Sequence, residues 1–228
     1  MRKRFLSIIF ILTVFTLGNS RISTLASAGA GAVLDDMIKD ADSENSSGSG
    51  DESKVGGMSK LPEALACTFF VPMGFKASDE PGVFVNEHYP LESANITYEV
   101  SVLPEKKILT NAQRAAGESE DATNIEYRYD ELTAEMYETI QKENYESLYG
   151  ENIGFTLESF ENMEYDGFPG YMIRTSFTPE NTQTIHQATA IVLSKNKVFT
   201  IVFSRAEDDD FEDKCTQTLD TIHVLAKK

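Results

Sequence analysis

Apolar and polar positions are patterned most clearly between residues 155 and 203, where strand-like runs follow one another with turn signals between them. The run ending at Tyr165 meets Asp166-Gly167, a dipeptide that favours a tight hairpin. Tyr171, Ile173, Thr175 and Phe177 then share one face of the next strand, and Thr178-Pro179-Glu180-Asn181 reverses the chain. A strand over 187–193 leads through Ser194-Lys195-Asn196-Lys197, a turn in which Asn196 is able to take a positive φ. The following run, 198–203, is apolar on both faces apart from Thr200. A strand covered on both sides belongs in the middle of a sheet with helices above and below it. The pattern predicts an antiparallel meander.

The rest of the chain supplies the layers around it. An apolar run at 67–75, stopped by Pro72 and Gly74, is short enough for a strand, and Val83, Phe84 and Val85 predict a second after the turn signal Asp79-Glu80-Pro81-Gly82. Ile96, Tyr98, Val100 and Val102 alternate with polar residues, predicting a half-buried strand with one wet face. Residues 104–121 are loose and polar. Helical spacing follows at Leu132, Met136, Ile140 and Leu148, with Tyr137 and Tyr145 beside the stripe, Thr133 as candidate N-cap and Gly150 as candidate C-terminal stop. The last twenty residues predict a second helix beginning in Asp208-Asp209-Asp210, with Phe211, Cys215, Leu219 and Ile222 on one face.

The order of these elements resembles a family. Phe69-Phe-Val-Pro-Met-Gly-Phe75, Asn95-Ile-Thr-Tyr98, the helix over 132–149, Tyr165-Asp-Gly-Phe-Pro-Gly-Tyr171, the run 198–203 and the closing helix with Phe211 are similar to the PsbP-like proteins of bacteria, over roughly residues 61–224. The resemblance implies an α/β fold, an α/β/α sandwich around a central, mostly antiparallel β-sheet. Relatives with that fold include the extrinsic PsbP subunit of photosystem II and a nuclear Ran-binding protein, both non-catalytic binders. It brings no functional residue with it.

The N-terminus changes the picture of where the domain works. Met-Arg-Lys-Arg, an apolar run of fourteen residues from Phe5 to Gly18, and small residues ending in Ala26-Ser27-Ala28 form the layout of an export signal. The run is short for a stable anchor across roughly 30 Å of hydrocarbon, so removal near Ala28 is expected, with cleavage near Ser20 or retention as an anchor as the alternatives. The expected organisation is a signal peptide at 1–28, a flexible acidic Ser/Gly-rich tether at 29–60, where only a short helix at 32–41 is open to form, and one domain at 61–228. No integral membrane span is expected after signal removal, and no Cys follows the apolar run for lipid attachment.

The first 28 residues carry four of the twenty Lys and Arg and none of the 37 Asp and Glu, which leaves −21 on the remainder. Such a surface repels nucleic acid and anionic lipid and suits a basic protein partner. Two cysteines, Cys67 and Cys215, sit near the two ends of the expected domain. Either they form a disulfide, whose loop closure a chain-entropy model values at about 4 to 5 kcal/mol, or they are two buried thiols.

Candidate chemistry is sparse. Asp208, Asp209, Asp210 and Asp213 offer oxygen ligands for weak calcium binding, but lack the spacing of an EF-hand loop and equally suit a helix N-terminus. His88, His186 and His223 show no metal-ligand spacing, and with Cys67 or Cys215 one of them would make a thiol-dependent Cys-His hydrolase. No nucleophile elbow, phosphate-binding loop or dinucleotide fingerprint occurs, and no cofactor is implied. The sequence reads as an exported, non-catalytic binding or scaffolding domain, with the hydrolase and the calcium-binding surface protein as alternatives.

Overall fold

The computed structural model describes residues 61–89, 91–102, 106–108, 115–117, 124–126, 132–179 and 182–227. The expected export signal, tether and short helix at 32–41, with most of 104–121 and residues 180–181, lie outside them. The described elements are β1 (Ala64–Thr68), β2 (Phe75–Ala77), β3 (Val83–Asn86), β4 (Asn95–Val102), β5 (Lys106–Ile108), β6 (Asn124–Glu126), α1 (Ala134–Tyr149), β7 (Thr156–Tyr165), β8 (Phe168–Phe177), β9 (Ile185–Leu193), β10 (Lys197–Ala206), α2 (Glu212–Leu219) and β11 (His223–Ala226).

Seven strands form one sheet in the order β2-β3-β4-β10-β9-β8-β7, and every neighbouring pair is antiparallel. The expected meander is its β7-β8-β9-β10 half. Asp166 (φ 50°) and Gly167 (φ 85°) both take the positive φ that a two-residue hairpin requires. Asp166 also fixes the chain terminus, since its Oδ2 accepts from the Val224 N–H at 2.7 Å and lies 3.2 Å from His223 Nδ1. Asn196 does not take a positive φ; among the described non-glycine residues only Asn152 and Asp166 do. That turn closes instead by Ser194 N–H donating to Lys197 O, while Lys195 N–H reaches Pro62 O.

β10 lies between β4 and β9, as its two apolar faces required. On one face α1 packs through Tyr137, preceded by Leu132, onto Tyr171, Ile173, Ile191, Leu193 and Val198. On the other, Cys215 and Leu219 of α2, with Ile222, Cys67 and Val224, cover Ala188, Ala190, Val192, Phe199, Ile201 and Phe203. The result is a three-layer α/β/α sandwich, with the β1-β11 ribbon sharing the α2 layer.

Four elements depart from the sequence pattern. The closing helix is eight residues, not twenty: it stops at Leu219, and the chain returns as β11 paired with β1. Thr221, Ile222 and Val224 are β-branched and fit a pleated ribbon better than a helix. The apolar run 67–75 is no continuous strand; between β1 and β2 it crosses with Phe69 and Val71 packed on the core while Phe70 and Met73 are exposed. In β4, Ile96 is fully buried but Val102 on the same side is 69% exposed. The reason is that β3 pairs only with residues 95–97, so the far half of β4 has one neighbour, β10.

The fully buried residues of α1 are Tyr137, Gln141 and Tyr145; Met136 and Ile140 of the expected stripe pack partly buried beside them, and Leu148 is exposed. Tyrosine supplies both a large apolar ring and a polar tip, and both are used here. The Tyr145 ring stacks on Phe177 at 4.3 Å between centroids, and its hydroxyl donates to Gln187 Oε1 at 2.5 Å. Thr133 caps the helix as expected, its hydroxyl accepting from Met136 N–H, and Gly150 follows at φ 96°. No helix among the described residues is long and apolar enough to cross a membrane.

Candidate binding cleft

The α2 side of the sheet does not stay covered along the whole length of β8, β9 and β10. Side chains on that side fall into two cross-strand rows, Arg174–Ala188–Phe203 and Ser176–His186–Arg205. Because successive residues of a strand face opposite ways, Arg174 and Arg205 must share the side that carries Phe203 and Ala188. The first turn of α2 stands over the rows with Glu212 and Cys215. At the edge, β7 carries a bulge between Leu157 and Ser159, and Glu158 is the extra residue. A bulge re-aims a side chain, and Glu158 comes to line the same space, its Oε1 3.5 Å from His186 Nδ1.

These residues enclose a cleft of about 130 Å³. Its apolar lining is Ala188, Phe203 and Cys215, each nearly fully buried. Its polar lining is two arginines, two glutamates and a histidine. Glu212 Oε2 lies 2.7 Å from Arg205 Nη2 and 2.8 Å from Nε, and its Oε1 lies 3.1 Å from Arg174 Nη1. Arg205 also donates through Nη1 to the carbonyls of Ala206 at 3.3 Å and Asp209 at 3.5 Å. Its side chain is only 16% exposed, whereas that of Glu212 is 52% exposed.

The protonation states follow from these neighbours. Burial alone would raise the Glu212 carboxyl, but the hydrogen bond and charge of Arg205, reinforced by Arg174, outweigh it and hold the group below the usual glutamate range. Cys215 goes the other way. Burial, with the Glu212 charge adding to it, pushes the thiol up to about 12 against the smaller opposing pull of Arg174 and Arg205. Cys67 is likewise pushed up to about 12, by burial and then by Asp166. Both thiols are free and buried in the same core cluster. The structure does bring Cys215 and His186 to one cleft, but a thiol held protonated near neutral pH is a poor nucleophile.

The acidic run does not converge. Asp209 turns inward, its Oδ2 accepting from Ser93 N–H at 3.2 Å and Ser93 Oγ at 2.8 Å. Asp208 accepts from Gln183 Nε2 at 2.9 Å, Asp210 is exposed, and Asp213 lies in the first turn of α2. Among the described residues no three of His, Cys, Asp and Glu gather to hold a metal ion. His88 and His223, like His186, each face a carboxylate: Glu87 and Glu92 for the first, Asp166 for the second.

Arg174, Arg205, Glu158 and Glu212 were not singled out from the sequence. The available signal was an arginine in each of two largely apolar strands of an acidic chain, a costly placement unless the charge is paired or functional. Nothing in the sequence marks the bulge at Glu158.

No family model matches the chain, and no curated protein matches it. Among solved structures, the chain is similar to the solution structure of cyanobacterial PsbP (CyanoP) from Synechocystis sp. PCC 6803, with 18% identity and a TM-score of 0.45 over 77% of this chain and 99% of that one. It is also similar to LpqN, involved in cell envelope biogenesis of Mycobacterium tuberculosis, with 13% identity and a TM-score of 0.39 over 70% and 83% of the two chains. The first of these bears the family name that the sequence resemblance pointed to. At TM-scores this low the likenesses bring no functional residue to this chain.

Proposed function

We propose that the chain is an exported, non-catalytic binding domain and that the cleft over β8, β9 and β10 is its ligand site. One observation carries the reading: five ionisable side chains from β7, β8, β9, β10 and α2 surround an apolar floor, while the one nucleophile present, Cys215, is held protonated. A concave site in which placed polar groups converge over an apolar floor is a form that small-ligand sites take. Export is supported by the leader pattern at 1–28 and partner choice by the −21 carried by the rest of the chain, which favours a basic protein released as salt rises. The test is ligand-observed and protein-observed NMR with a panel of small neutral, cationic and anionic compounds. Saturable shifts at Ala188, His186 and Phe203 amides support a ligand site there. A panel that moves none of them at millimolar concentration sinks the reading.

A further inference from the structure

We propose that Arg174 and Arg205 form a receiving site for small organic monocarboxylates, and that Glu212 is a built-in stand-in that an external carboxylate displaces. The inference rests on the reading of the cleft as a ligand site and gives that ligand a chemical class.

Glu212 shows the geometry that the pair accepts. Two guanidiniums hold one carboxylate through three contacts between 2.7 and 3.1 Å, one arginine on each oxygen. Arg205 grips one oxygen through two nitrogens and Arg174 reaches the other through one, so both oxygens are held by charge-assisted hydrogen bonds. The two sides of the contact are unequally fixed. Arg205 is mostly buried and tied to the carbonyls of Ala206 and Asp209, so its guanidinium stays in place whether or not Glu212 is present. Glu212 is half exposed on a long side chain at the first residue of α2, where its departure breaks no helical backbone bond.

Beneath the guanidiniums lie Phe203, Ala188 and the Cys215 thiol, a floor that accepts an apolar body and offers no ionised partner. The space of about 130 Å³ is enough to seat a short organic acid such as butyrate. Charge sets a limit on the ligand. With Glu212 turned out, the two arginines face one carboxylate, Glu158, and these three groups sum to a formal +1 that matches a monoanion. A phosphate dianion would bring a second negative charge toward Glu158.

Isothermal titration calorimetry of the full chain with butyrate, inorganic phosphate, butanol and butylamine, on wild type and on Glu212→Gln, Arg174→Gln and Arg205→Gln, tests this. Butyrate is expected to bind saturably. Glu212→Gln should tighten it by about tenfold, because the competing occupant is removed and a population penalty with it. Arg174→Gln should weaken butyrate by about tenfold or more, the scale of a lost charge-assisted hydrogen bond. Circular dichroism and thermal melts identify variants that keep the fold; Arg174, the less buried arginine, serves if the Arg205 variant does not fold. Butyrate heat that is absent in both wild type and Glu212→Gln overturns the proposal. So does phosphate binding that equals butyrate, or butyrate binding unchanged in a folded Arg174→Gln. If butanol or butylamine gives saturable heat while butyrate does not, the carboxylate inference falls and the ligand-site reading stands; if none of the probes does, both fall.

Discussion

Removing one hydroxyl on the back of the sheet tests how the cleft floor is held. Tyr145 of α1 is 4% exposed and donates to Gln187 Oε1 at 2.5 Å. Gln187 lies on β9 between His186 and Ala188, whose side chains face the cleft, so this bond anchors the strand from the opposite side. Tyr145→Phe keeps the ring and its 4.3 Å stack on Phe177 and deletes only the donor. A buried acceptor left without a partner costs about 1–3 kcal/mol. For a domain of this size that corresponds to a fall in Tm of roughly 2–4 °C per kcal/mol, hence about 4–8 °C for a mid-range loss. Urea unfolding should show a lower midpoint with an unchanged slope. Gln187→Leu alone should also destabilise, by leaving the hydroxyl orphaned. The double variant should recover most of the loss, because replacing both partners with apolar groups is nearly neutral, giving a coupling of about 1 kcal/mol or more. A Tyr145→Phe protein within about 0.5 kcal/mol of wild type, or a strictly additive double variant, would refute the reasoning.

Three further outcomes follow from the same geometry. Gly170→Ala in β8 would place its Cβ 2.1 Å from Ile191 O and 2.9 Å from the Tyr165 ring, so a loss at or above the upper end of the roughly 1–3 kcal/mol for overpacking is expected in a thermal melt. Because Cys67 and Cys215 are free and both pushed up to about 12, the native protein should react slowly with a thiol reagent at pH 8 while the unfolded, unreduced chain titrates two thiols at once; zero thiols would establish the bridge instead. The folded Glu212 carboxyl is lowered, so its contribution is present above the ordinary glutamate value of about 4.3 and is lost as pH falls through the folded one. The stability gap between wild type and Glu212→Gln should therefore narrow on acidification below pH 4, and a gap that widens there contradicts the ion-pair assignment.

Alternation and turn chemistry sufficed for the meander, because its devices are local. Asp166-Gly167 carries its positive φ values in two residues, and the two apolar faces of 198–203 demand a central strand with cover on both sides. The Cys215, Leu219, Ile222 face was legible for the same reason, as all three are buried in one cluster. Where the helix stops was not, since β11 exists only because β1, over 150 residues earlier, offers it a partner. In α1 the tyrosines beside the expected stripe are buried more deeply than the stripe itself, because Phe177 and Gln187 are there for Tyr145 to stack on and to accept from it. The cleft belongs wholly to the tertiary level. Arg174 and Arg205 stand 31 residues apart, and their separation is closed by the register of β8, β9 and β10, a bulge that turns Glu158, and a helix terminus that sets Glu212 between two guanidiniums. The sequence by itself determined the order of the meander and the two apolar faces of its last strand. Which charges meet was decided only when register and packing brought distant side chains within hydrogen-bond reach.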